Sequence, residues 1–282
     1  MAVGAVPTAP RAEVGVIGGS GFSEFLADAE RVRVATPFGE PSDDLFVGEL
    51  GGRGVAFLAR HGPGHRFPPH RVPYRANLWA LRSVGVRQVL AACAVGSLRP
   101  DLGPGTVIVP DQVVDRTWGR PHTVYDEVGP VVHVSFADPF CPRGRRAVTV
   151  AASSAGVPVQ EGGTLVVING PRFSTRAESI WHRQAGWTAV GMTTMPEAAI
   201  ARELAMCFTT IALVTDLDAG TPGEGGVGQE QVLRVFAENV TKVKTLLADA
   251  IKAMPPREPD ESATCPCRRC LDRLRLPFAL PT

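Results

Sequence analysis

The sequence lacks any apolar run of the roughly 18–20 residues that a membrane-spanning helix needs, so no membrane partner is expected. It also lacks a charge imbalance. Its 29 Lys and Arg stand against 28 Asp and Glu, which leaves no global basic footprint for nucleic acid. Residues 1–10 lack the charged start and long apolar stretch of a secretory signal. Their Ala/Pro/Gly character instead predicts a disordered tail over residues 1–12. The cysteines do not form an extracellular framework. Cys93 and Cys207 lie in apolar segments, where a free thiol behaves as a small hydrophobe, and a reducing cytoplasm is the expected setting. Two common anion-binding fingerprints are missing as well. Gly18-Gly19-Ser20-Gly21 follows an apolar run, but a dinucleotide motif needs glycine at position 24, where Glu24 stands. No Gly-Lys-Ser/Thr follows to make a P-loop.

What is present is alternation. Strands are predicted at Val14–Ile17, Leu45–Glu49, Gly54–Ala59, Gln88–Ala94, Thr106–Val109, Leu165–Ile168 and Phe208–Val214, with a turn at Gly51-Gly52. Helices are predicted at Asn77–Val84, Arg143–Ala155, Pro196–Ala205 and Gln229–Ala253. The last carries an apolar stripe of Val232, Leu233, Phe236, Val240, Val243 and Leu247, expected to be buried. The order predicts one α/β domain with a mixed sheet over residues 13–253, then a linker and Cys-containing tail over 254–282.

Several strand ends carry polar groups, and such ends are where α/β proteins place small-molecule sites. Leu165–Ile168 runs into Asn169-Gly170-Pro171-Arg172-Phe173-Ser174 and then a helix-like segment. Gly18–Gly21 suits an anion nest or merely a tight turn. Arg60-His61-Gly62 closes another strand, where a guanidinium could grip two phosphate oxygens or simply be solvated. Leu213–Thr215 runs into Asp216-Leu217-Asp218, whose spacing puts both carboxylates on one face if the strand continues. A partly buried Asp can keep its proton near neutral pH and donate it; the bland alternative is a solvated turn. Glu197, just after Pro196, reads as a favourable anion in a helix's first turn. Metal sites are not expected. His61, His65 and His70 are separated by prolines that no helix would align. Cys265, Cys267 and Cys270 are three thiols, too few for a closed tetrahedral site without a fourth ligand, and read as part of a tail.

Taken in order, the Gly18–Gly21 loop, Arg60-His61-Gly62, Cys93–Leu98, Asn169–Ser174, Met192-Thr193-Thr194-Met195-Pro196-Glu197 and Thr215-Asp216-Leu217-Asp218 resemble the methylthioadenosine phosphorylases. These are a branch of the trimeric purine nucleoside phosphorylase family. The resemblance spans Val14 to Ala253 and implies a mixed central sheet with a small barrel, flanked by helices. It implies phosphate binding by Ser20, Arg60, His61, the Ala94 backbone and Thr193, with Asp216 as the catalytic acid at the purine N7. Asp218 and Ser174 would fix the base, Phe173 and Met192 would wall the nucleoside, and Gln229 and Leu233 would lie near the 5′ group. Asp216 and Ser174 stand where relatives using 6-oxopurines carry Asn and Glu, so adenine is the implied base. Inorganic phosphate would be a co-substrate, with no metal or organic cofactor. The implied assembly is a homotrimer or hexamer in which the His122–Phe140 segment reaches a neighbour's site.

Three positions depart from the pattern. Cys93 replaces a hydroxyl residue, Gly191 replaces Asn, and Gln229 is neither the apolar residue of methylthioadenosine phosphorylases nor the His of ordinary nucleoside phosphorylases. The implied reaction is phosphorolysis of 5′-methylthioadenosine or another 5′-modified adenosine. Alternatives are phosphorolysis of adenosine or inosine, of a 5′-halo-5′-deoxyadenosine, or nucleoside binding without turnover, since fold alone does not fix function.

Overall fold

The computed structural model describes residues 12–19, 25, 26, 28–220, 226–254 and 265–281. Seventeen strands and α-helices follow in chain order. The first half holds β1 (Val14–Gly18), β2 (Glu30–Val32), β3 (Leu45–Leu50), β4 (Arg53–Ala59), α1 (Tyr74–Ser83), β5 (Gln88–Ser97), β6 (Val107–Val109) and β7 (Gln112–Arg116). The second half holds α2 (Pro142–Ser154), β8 (Val159–Glu161), β9 (Thr164–Ile168), α3 (Arg176–Gln184), β10 (Ala189–Gly191), α4 (Thr194–Glu203), β11 (Cys207–Leu217), α5 (Gln229–Ala253) and α6 (Pro266–Arg269).

Among the described residues, all strands join one 11-stranded mixed sheet. Its centre is β5, which runs parallel to β1 and β11. The ten residues of β5 are nearly all buried, as expected for a strand covered on both faces. Its side chains divide with period two. Val89, Ala91, Cys93 and Val95 enter one core with Leu78 and Leu81 of α1 and Ala198 and Ile200 of α4. Leu90 and Ala92 enter a second core with Val148 of α2 and Val243 and Leu247 of α5. Each fully buried Leu or Val contributes about 1.5–3 kcal/mol, so these two layers set the strand register.

The predicted stripe on α5 is corrected in its first half. Val243 and Leu247 are buried together with Leu246, Ala250 and Ile251, but Leu233 is 50% exposed. A 25-residue helix outruns the sheet it packs on, and its N-terminal turns overhang a cavity instead. The short strands β2, β7, β8 and β10 are not apparent in the sequence pattern, because three to five residues carry too little periodicity.

The sheet opens where function requires room. β1 accompanies β5 only as far as Ala91, and β10 joins that edge only at Gly96. Between them the Ala92–Val95 edge of β5 has no strand partner on that side among the described residues. On the other edge, the register of β11 shifts between Val214 and Asp216, a β-bulge at Thr215. Bulges re-aim side chains beside active sites.

Candidate active site

Both irregularities face one cavity of about 950 Å³. Of the expected site residues, Arg60, His61, Ala94, Phe173, Ser174, Met192, Thr193, Asp216, Asp218, Gln229 and Leu233 all line it. Gly19 does so too, while Ser20 and the rest of its loop to position 24 lie outside the described residues.

One end is built for an anion. Arg60 is 2% exposed. Its Nε–H and Nη2–H donate to the two carboxylate oxygens of Glu197 at 2.5 and 3.0 Å, and its Nη1–H donates to the Ala92 carbonyl at 2.7 Å. A guanidinium has five N–H groups, so two remain for a ligand. Burial works against the Arg60 charge, but the Glu197 carboxylate outweighs it and holds the group above its ordinary value. Glu197 does stand in the first turn of α4, as expected, but it has a further role. It is fully buried and fixes the plane of Arg60. Ala92 offers its carbonyl on the open edge of β5. Peptide groups alternate edges along a strand, so Ala94, two residues on, offers its N–H on the same edge. Thr193, 6% exposed, precedes α4 and makes no capping bond with its side chain.

His61 completes this end. Its Nδ1 lies 2.8 Å from the Phe67 carbonyl, and its ring stacks on His65 at 4.1 Å. Burial, reinforced by the Arg60 charge, pushes its pKa down to about 3. The ring is thus neutral, with Nδ1–H donating to Phe67, which leaves Nε2 as an acceptor. Such a group pairs with a P–OH rather than with a bare phosphate oxygen. Cys93 faces the same space, and burial raises its thiol pKa to about 11. It is a protonated wall residue rather than a nucleophile.

The other end is built for a base. Asp216 is 4% exposed and accepts from the Thr215 hydroxyl at 2.8 Å. Asp218 is 2% exposed, and its Oδ2 has no hydrogen-bond partner among the described residues. Ser174 Oγ is likewise buried without a partner among the described residues. Unpartnered buried polar atoms are costly, so a cavity holding both is shaped for a ligand with matching groups. Gly96 makes the carboxylates fit. A Cβ there would lie 2.8 Å from Asp216 Oδ1 and 3.2 Å from Asp218 Cβ.

The loop carrying Phe173 and Ser174 is fastened from both sides. Thr175 caps α3 through a reciprocal capping box with Glu178. Arg172 grips the same carboxylate with two bonds of 2.7 Å, and this holds Glu178 down to about pKa 2. The start of α3 also holds the chain after Asp218. Arg176 donates to the Ala219 carbonyl and Ser179 accepts from the Gly220 N–H, each at 2.9 Å.

A positioning residue that sequence reasoning did not single out is Arg120. It is 5% exposed and donates to the carbonyls of Met195 and Asn169 at 2.6 and 2.7 Å. It thereby ties the entry to α4, on the phosphate side, to the end of β9, on the base side. No local pattern distinguishes it from a surface arginine. Met192 lies over Gly170, where a Cβ would come within 2.7 Å of its sulfur. Val232, Leu233 and Phe236 of α5 form an apolar flank of the cavity, with Gln229 at its rim.

Away from the cavity, the reading of the tail cysteines is corrected. Cys265 and Cys267 do find further thiols, because the fold brings Cys141 and Cys207 to them. All four are buried. Cys270 stands apart, its thiol directed at the Arg202 carbonyl at 3.0 Å.

Residues 13–252 match the sequence profile of the Phosphorylase superfamily. A purine nucleoside phosphorylase from Streptomyces coelicolor is 58% identical over 96% of this chain and 98% of its own length. An S-methyl-5′-thioadenosine phosphorylase from Mycolicibacterium smegmatis is 53% identical over 95% and 99%. The crystal structure of a methylthioadenosine phosphorylase from an antarctic soil metagenomic library superposes with a TM-score of 0.84 at 40% identity, over 94% of this chain and 92% of that one. The chain belongs to the Phosphorylase superfamily, as an enzyme of its purine nucleoside and methylthioadenosine phosphorylase branch.

Proposed function

We propose that the protein catalyses phosphorolysis of 5′-methylthioadenosine to adenine and 5-methylthioribose 1-phosphate. The observation that carries this is one cavity lined at one end by Arg60, with two N–H groups left over, and by Ala94, and at the other by Asp218 Oδ2 and Ser174 Oγ, which have no partner among the described residues. Phosphate uses an oxygen lone pair to form the bond to C1′. The electrons of the C1′–N9 bond leave with the purine, and Asp216 gives its proton to N7. The sugar passes through an oxocarbenium-like state, and the phosphate charge beside it is stabilising. Two bound reactants held in register account for much of such a rate enhancement, so no cofactor is needed.

The base contacts divide by availability. Asp216, held by Thr215, serves N7, while Asp218 Oδ2 accepts from the 6-amino group. The apolar flank of Val232, Leu233 and Phe236 suits a methylthio group or another small apolar 5′ substituent. A second reading, phosphorolysis of adenosine itself, rests on Gln229, whose amide could bond a 5′-hydroxyl. Adenine release should require phosphate, with the sugar emerging as its 1-phosphate by phosphorus NMR. Equal rates in rigorously phosphate-free buffer would make the enzyme a hydrolase.

We place the reaction in a cytoplasmic salvage setting, which the six free thiols support. Among the described residues, no helix is long and apolar enough to cross a membrane. The assembly is a homotrimer. Trp118, Val128 and Val131, in the stretch between β7 and α2, are 73%, 107% and 75% exposed. These are apolar side chains that a neighbour would cover. Activity should vanish on dilution to monomer, and light scattering that found an active monomer would refute this assembly.

A further inference from the structure

We propose that Cys141, Cys207, Cys265 and Cys267 bind a structural zinc ion that fastens the C-terminal tail to the domain. Nothing in the phosphorolysis site calls for it, and the ligands come from three separate parts of the chain. Cys141 precedes α2, Cys207 opens β11, and Cys265 and Cys267 belong to the turn around α6. Among the described residues, this is the group whose donor atoms converge as a metal site requires. Their sulfurs all lie within 4.8 Å of one another, with Cys141–Cys265 at 3.8 Å and Cys207–Cys265 at 3.4 Å. A tetrahedron with Zn–S bonds of about 2.3 Å has edges of about 3.8 Å. The four are free thiols, and four soft donors with this arrangement select zinc among the common divalent ions.

The surroundings fit a charged centre. Arg202 is 6% exposed and lies 3.7 Å from Cys267 Sγ. Its guanidinium is oriented by bonds to the Ser135 and Asp138 carbonyls at 2.8 and 2.6 Å. Four thiols release four protons on binding Zn2+, so the centre carries two negative charges, and a guanidinium against one sulfur offsets part of them. The consequence reaches beyond the metal. Past the cysteines, Phe278 packs edge-on against Trp79 and stacks on Tyr125. Tyr125 belongs to the stretch we assign to the subunit contact. Its hydroxyl donates to the Glu203 carbonyl at 2.9 Å. The zinc would therefore hold in place the tail that backs this wall.

The test is metal analysis of the full chain purified without chelator, followed by cobalt replacement. About one zinc per chain is expected, with six titratable thiols after denaturation in chelator. Cobalt should give the strong ligand-field bands of a tetrahedral thiolate site. Cys265→Ser should lose the metal and expose residues 265–281 to hydrogen exchange, whereas Cys270→Ser should keep it. Two outcomes overturn the proposal. One is wild-type protein that neither contains zinc nor takes up zinc or cobalt. The other is recovery of the four cysteines as two disulfides with no metal, which the thiol count reveals even if every cysteine variant fails to fold.

Discussion

The sharpest prediction concerns the choice of base. Asp218 Oδ2 is buried with no partner among the described residues, and Asp216 spends one oxygen on Thr215. A 6-amino group supplies the donor that Asp218 lacks. A 6-oxo group brings a second acceptor to the same point. Leaving a buried acceptor unpaired costs about 1–3 kcal/mol, and more where the group is charged. Sites built around such a bond reject the analogue that cannot make it. We therefore expect 5′-methylthioadenosine to exceed 5′-methylthioinosine in kcat/KM by at least about a hundredfold, or roughly 2.7 kcal/mol at the transition state. Asp218→Asn turns an acceptor into a potential donor toward the 6-oxo oxygen. It should lower turnover of the amino substrate, raise that of the oxo substrate and narrow the gap, while Asp216 still protonates N7. Asp216→Asn cannot supply that proton and should lose most turnover of the amino substrate. Steady-state assays on both substrates, wild type against each variant, decide the matter. Equal cleavage of the two by wild type would refute the roles given to both carboxylates.

Other expectations follow from single contacts. Arg60→Ala should weaken phosphate use by about 1.5–3 kcal/mol, read as a raised KM for phosphate. It should also cost about 3–5 kcal/mol of stability, read as a lower Tm, because Glu197 is left buried without its partner. Gly96→Ala should cut kcat at least about tenfold, because the added methyl would lie 2.8 Å from Asp216 Oδ1, and should lower Tm as well, because it also presses on the buried Val190 side chain at 3.3 Å. The depressed His61 pKa has a pH consequence of definite sign. The unfolded chain takes up a proton near pH 6.5 and the folded chain only near 3, so this stability is present above pH 6.5 and is lost as pH falls toward 3. By pH 4 the loss from this group is about 3 kcal/mol. Denaturation midpoints should fall less steeply over this window in His61→Gln, and an unchanged slope would show that His61 does not contribute.

What the sequence disclosed and what it hid follow from one distinction. Features carried by neighbours along the chain were legible. Thr215-Asp216-Leu217-Asp218 closes an apolar strand, and the 25-residue periodicity of α5 fixed both of its ends. Features made by distant partners were not. Arg60 and Glu197 are 137 residues apart, so Glu197 reads locally as a helix-start anion although it is the group that aims Arg60. Cys141 and Cys265 are 124 apart, and neither lies in a motif that announces the other. Thr215 gave no sign of a bulge, because a bulge is a relation to β5 rather than a property of β11. The same distinction explains how the site works. Each chemical group sits in a short local word at a strand end, where the chain can change with little cost to the core. Its orientation comes from elsewhere: Glu197 for Arg60, Phe67 for His61, Gly96 for Asp216, and Arg120 for the two halves of the cavity. Chemistry assigned by local words can therefore be right while the protonation state is missed. His61 shows this. Its place beside Arg60 could be read in sequence, but only burial and the Phe67 carbonyl make it a neutral acceptor. That state favours a phosphate that still carries one proton.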